Sequence, residues 1–156
     1  MKINNCFILF NLIALILLTG CSASERLAKK EANQKALSFS VDNETFTPIG
    51  SENIARLNQV ITTKEIDDTE AVIKEYVQEF EGEGFGKYEI AARKLGRHQK
   101  EVIFVQEGLP DDSIRGRKVI MTMKMNHKKW EVVAIKENFK CAQNRGHQDW
   151  GTEPCL

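Results

Sequence analysis

The sequence predicts an α+β domain, a helical layer packed on an antiparallel β-meander of about four strands. Three observations carry that prediction. Apolar residues recur at helical spacing between Ser51 and Phe80, they recur at strand spacing between Tyr88 and Phe139, and the breaks between the strand-like segments are short. Short connections join antiparallel neighbours, because a parallel crossover needs a dozen residues or more. Two element types, segregated along the chain, pack most simply as one layer on the other.

The folded domain is expected over residues 37–156. Leu37, Phe39 and Val41 alternate with Ser38 and Ser40, the period of a short half-buried strand. Ser51 is the expected N-cap of a first helix, because Ile54, Leu57, Val60 and Ile61 follow at helical spacing. No capping box completes it, since Ile54 stands where an acid or amide is needed. Asp67-x-x-Glu70 starts a second helix whose stripe is Val72, Ile73, Tyr76, Val77 and Phe80, and Gly82 and Gly84 end it. That stripe is expected to bury against Val119, Met121, Met123, Trp130 and Val132, with a polar partner for the Tyr76 hydroxyl.

Four strands follow. Tyr88–Leu95 and Glu101–Gln106 are separated by the turn-like Gly96-Arg97-His98-Gln99, and Leu109–Ser113 is a second break. Arg117–Met125 places Val119, Met121, Met123 and Met125 on one face and Lys118, Thr122 and Lys124 on the other. Asn126–Lys129 turns the chain into Trp130–Phe139, where Trp130, Val132 and Ala134 are expected to share a face. Helices first and a long meander after is similar to the layout of cystatin-like and NTF2-like folds, over roughly residues 50 to 140. Those folds host enzymes, binding modules and assembly proteins alike, so the layout implies no function.

The N-terminus reads as an export leader, residues 1–20, with Lys2 and the free amine before the apolar run Phe7–Leu18. A retained membrane helix needs about 20 apolar residues, and this run is shorter and broken by Asn11. Leu18-Thr19-Gly20-Cys21 resembles the lipobox of bacterial lipoproteins. The resemblance implies lipidation of the Cys21 thiol and cleavage before it. Several acyl chains, at about 0.8 kcal/mol per buried methylene, hold a protein on a membrane far better than one. Ser22 in the next position implies an outer-membrane destination facing the periplasm in a Gram-negative host. Residues 21–36 are polar and read as a tether.

Removing the leader takes away Lys2 and no acid, leaving 21 basic side chains against 22 acidic ones. The signs are mixed along the chain, so no field is available to gather nucleic acid. Cys6 leaves with the leader and Cys21 carries lipid, so Cys141 and Cys155 remain, and in an oxidising compartment they are expected to pair. The segment from Cys141 to Cys155 resembles the Cys-x3-Arg-Gly-His-x2-Trp…Cys terminus of small bacterial lipoproteins, which implies a shared stapled tail and no activity.

Arg145, His147, Asp149 and Trp150 are the candidate contact site. His147 with Asp149 could serve as a base and its orienter, but no nucleophile or metal accompanies them. The alternative is structural: Arg145 and Asp149 bond to the loop backbone while Trp150 packs on the sheet edge. Cys141, His147 and Cys155 match no common structural zinc spacing. Glu107 with Asp111 and Asp112 lacks a calcium-loop pattern, the Met121, Met123, Met125 alternation reads as core, and Gly82–Gly86 follows a helix where a phosphate loop precedes one. No catalytic residue, metal or cofactor is therefore assigned. The expectation is a non-enzymatic envelope lipoprotein, held to the membrane at Cys21 and meeting another envelope protein. The alternatives are an inhibitor of a cell-wall-degrading enzyme, whose rigid loop would enter a cleft, and a hydrolase or small-ligand carrier with a pocket between helices and sheet.

Overall fold

A computed structural model describes residue 41, residues 43–77 and residues 86–156. The leader, Cys21, the tether, most of the Leu37–Val41 alternation, Phe80, Gly82 and Gly84 lie outside the described residues. The described chain is α+β with two helices and a five-stranded antiparallel sheet. In chain order these are β1 (Thr47–Pro48), α1 (Ser51–Thr63), α2 (Thr69–Val77), β2 (Tyr88–Gly96), β3 (Gln99–Glu107), β4 (Ile114–Asn126) and β5 (Lys129–Cys141). The sheet order is β1-β5-β4-β3-β2. Four consecutive strands form the meander, and β1 is a fifth that the alternation pattern did not announce. Two residues are too few to show a period, and β1 exists through pairing with β5 at Thr47–Glu137 and Pro48–Lys136.

Both helix starts differ from the expectation by one residue. Gly50 is the N-cap of α1 and makes no side-chain cap, so Ser51 is already helical. The cap of α2 is Asp68, whose Oδ2 accepts the N–H of Ala71 at 2.8 Å, and not Asp67. An oxygen one atom-pair beyond the backbone satisfies an amide that has no helical partner, and the position that reaches it wins.

Leu57 and Ile61 of α1 and Val72, Ile73 and Val77 of α2 close over Val102, Phe104, Val119, Met121, Met123, Val132 and Ile135. Tyr76 and Trp130 pack at the rim of this cluster. The partner expected for Tyr76 is Glu137: the hydroxyl donates to its Oε1 at 2.6 Å, and Arg117 Nε donates to its Oε2 at 2.7 Å. Burial first, and the bond to the carboxylate second, push the phenol well above its ordinary pKa. The hydroxyl therefore stays a donor throughout the physiological range, tying α2 to β4 and β5.

The face of β5 corrects the simple alternation. A bulge sets Thr122 against Ala134 but Met123 against Val132. Val132 stays in the core, Ile135 joins it, and Ala134 is exposed on the other face. The bulge leaves backbone groups of Val132 unpaired in the ladder, and Asn58 of α1 takes both, donating to Val132 O and accepting from Val132 N at 2.9 Å each. The β4–β5 hairpin closes through His127 and Lys128, both at positive φ, the geometry that matches strand twist in a two-residue turn. Among the described residues no helix is long and apolar enough to cross a membrane.

Candidate functional site

The tail after β5 is held by its own backbone. Phe139 and Gly151 exchange both N–H···O bonds at 3.0 Å, extending the edge of β5 beyond its short pairing with β1. Cys141 N–H donates to His147 O, Ala142 N–H to Ser113 O, and Leu156 N–H to Arg145 O at 2.7 Å. An edge strand so covered is closed to pairing with another chain.

Cys141 and Cys155 form a disulfide with their α-carbons 5.5 Å apart. Gly146 crosses directly over it, at φ +147°, where an added Cβ would lie 2.8 Å from Cys141 Sγ. Only glycine allows that approach and that backbone angle together. His147 is the third member of a Cys141, His147, Cys155 group. The two sulfurs are bonded to each other, and each ring nitrogen of His147 faces a backbone carbonyl, Nδ1 that of Asp149 at 2.8 Å and Nε2 that of Glu153 at 2.9 Å.

That geometry decides between the two sequence readings of the tail polar groups. His147 meets the main chain of Asp149, not its carboxylate, so the base-and-orienter pair is not assembled. The backbone bonds expected of Arg145 and Asp149 are made instead by the side chains of His147 and Gln148, the latter to Ala142 O and Gly146 O. Arg145 reaches outward to Asp112 at 3.9 Å and is about half exposed, and Asp149 is exposed. Asp111 accepts from the amides of Ser113 and Ile114 at 2.7 Å. Those two bonds hold its carboxyl below the ordinary aspartate range, so it shapes the turn that Arg145 leans on.

His147 and Trp150 turn to opposite sides of the sheet edge. The imidazole packs at a tilt against Phe139, with ring centroids 5.5 Å apart. Trp150 lies over Gly116 on the face away from the helices, where an added Cβ would meet its ring at 3.2 Å. Its ring is flanked by the ammonium groups of Lys118 at 4.4 Å and Lys140 at 4.6 Å, within cation–π range. Lys118 is buried and paired with Glu44, and Lys140 is paired with Glu107. Trp150 thus packs at the sheet edge over charged side chains. Glu44, Lys118 and Asn138 were not singled out in the sequence. Their only signal was a lysine and an asparagine on a strand face that reads as solvated, and what buries them is a segment more than 70 residues away.

A cleft of about 180 Å³ runs beside the staple, lined by Glu107, Arg115, Lys140, Cys141 and Gln148. A scan against protein-family models, a search of curated proteins and a search of solved structures each return no match to the chain.

The staple is expected to contribute about 3 kcal/mol, as loop closure over roughly fifteen residues predicts. Cys141→Ser with Cys155→Ser should lower the unfolding free energy measured by denaturant titration by that amount and release the amides of Gly151 and Leu156 to hydrogen exchange. Protection of both amides equal to that of the oxidised chain would show that the backbone bonds alone hold the tail.

Proposed function

We propose that the chain is an exported lipoprotein, anchored through lipid on Cys21, whose domain acts as a non-enzymatic interaction module meeting another envelope protein through its stapled tail. The observation that carries the reading is the division of labour in the tail. His147 and Gln148 spend their side chains on the loop's own backbone, while Arg145 and Asp149 are left facing out from a disulfide-closed frame. A contact surface fixed before encounter loses little conformational entropy on binding. The helices-then-meander order supports a cystatin-like or NTF2-like layout for the scaffold, which brings no activity with it.

The sequence supports an outer-membrane, periplasm-facing position in a Gram-negative host, through Leu18-Thr19-Gly20-Cys21 followed by Ser22. The same closed loop also suits an inhibitor whose tail enters the cleft of a wall-degrading enzyme; binding to a muramidase separates that reading from the first.

Two measurements test the proposal. Metabolic labelling with a fatty acid should mark the chain, and Cys21→Ala should abolish the label; label retained in that variant removes the anchor. A photo-cross-linking residue at position 145, in the native envelope, should capture an envelope protein. Capture from positions on α1 with none from position 145 would move the contact surface away from the tail.

A further inference from the structure

A cavity of about 400 Å³ opens between the link from α1 to α2 and the turn of the β4–β5 hairpin, at the end of β5 far from the tail. Ile61, Ile66 and Trp130 give it an apolar side continuous with the core. Glu65 and Asp67 line it from the helical link, and His127, Lys128 and Lys129 line it from the hairpin. Small-molecule sites have this size and this mixture, an apolar lining with a few placed polar groups.

Three residues of its lining hold backbone angles that L-residues avoid. Glu65 lies at φ 53°, His127 at 46° and Lys128 at 68°, and among the described residues Asn144 is the only other non-glycine at positive φ. Ile66 N–H donates to Ile61 O at 3.0 Å, the bond of a helix end that ordinarily has glycine in the position of Glu65. The two-residue hairpin turn likewise favours asparagine and glycine over histidine and lysine. Each such residue costs stability, and residues that keep this cost cluster where ligands bind. The charges do not neutralise one another either. Among the described residues, the side chains of Glu65, Asp67, Lys128 and Lys129 make no ion pair or hydrogen bond across the cavity.

We propose that this cavity binds a short peptide with a free ammonium and a free carboxylate. The ammonium is drawn to Glu65 and Asp67, the carboxylate to Lys128 and Lys129, and an apolar side chain rests against Ile61, Ile66 and Trp130. Two acids on one wall and two ammonium groups on the other reward a ligand that carries both charges. A ligand with a single charge meets one favourable wall and one repulsive wall, which is how the site would reject it. An extended residue takes about 3.3–3.6 Å, so two or three residues hold the charges far enough apart to reach both walls. The site is independent of the proposed function, because it uses neither Cys21 nor the tail.

Heteronuclear NMR tests it on the whole mature chain, made lipid-free by Cys21→Ser and kept non-reduced so that the staple is intact. The probes are leucyl-leucine and phenylalanyl-leucine at about pH 6.5, where both termini are charged. They should shift the amides of Ile66, Lys128 and Trp130 saturably, with a Kd of about 1 mM or tighter. Acetylating the amine, or converting the carboxylate to an amide, should each weaken binding by about five- to tenfold. Glu65→Gln with Asp67→Asn should remove the effect of acetylation and keep that of amidation, and Lys128→Gln with Lys129→Gln should do the reverse. All four side chains are exposed, so these variants keep the fold. Absence of saturable shifts from both dipeptides overturns the site, and so does equal binding of free and blocked forms. Shifts confined to Arg145 and Asp149 also overturn it, since they would assign peptide recognition to the tail.

Discussion

Phe104→Ala is expected to lower the stability of the domain by about 3–5 kcal/mol, the cost of emptying a fully packed aromatic site. Phe104 sits in the middle of β3, 1 % exposed, between Ile90 of β2 and Val119 of β4, and beneath the helical layer. Its ring stacks on Tyr88 with centroids 5.5 Å apart. Truncation removes that pair and leaves a void that neighbours on paired strands cannot collapse into, because their backbones are fixed by ladders on both sides. A domain of this size has roughly 5–15 kcal/mol in total, so the variant should be close to unfolding at body temperature. Denaturant titration with the disulfide intact measures it. Val133→Ala, 45 % exposed at the bulge, is the control and should stay within about 0.5 kcal/mol of the parent. Similar midpoints for the two variants would mean that the packed face has been misassigned.

The helical layer and the meander were legible because each has a local period, and a period survives without tertiary context. Val119, Met121 and Met123 needed only strict alternation to be placed in the core. The departures share one physical origin: each is fixed by a partner far along the chain. The bulge that exchanges Ala134 for Ile135 is satisfied by Asn58, 74 residues away, and a period cannot report such a partner. The strand β1 exists through Glu137 and Lys136. In the tail the residue types were legible and their roles were not. The spacing of His147 and Asp149 suits a dyad, but the close turn at Gly146 brings the imidazole to backbone carbonyls before it can reach a carboxylate.

Lys118 shows what a long-range partner does to a strand that otherwise reads as solvated, and it sets the second large expectation. Its side chain is 4 % exposed and its ammonium rests on both oxygens of Glu44, with the face of Trp150 beside it. Glu44→Ala removes the carboxylate and leaves a buried cation whose remaining partner among the described residues is the indole. Breaking one side of a buried pair costs about 3–5 kcal/mol, whereas replacing both sides with apolar groups is often neutral. The loss here should fall near the lower figure, because the Trp150 ring keeps part of the stabilisation. The two cases are separated by a double-mutant cycle. Lys118→Met combined with Glu44→Ala should recover most of the stability lost in Glu44→Ala alone, since a thioether fills the same space without a charge to desolvate. Asn138 would still lose its bond to Glu44 and keep the one to Thr45 O, so recovery should be incomplete. Additive losses in the double variant would show that carboxylate and ammonium are not coupled, and that the segment before β1 is held on the sheet by its backbone and by Phe46 instead.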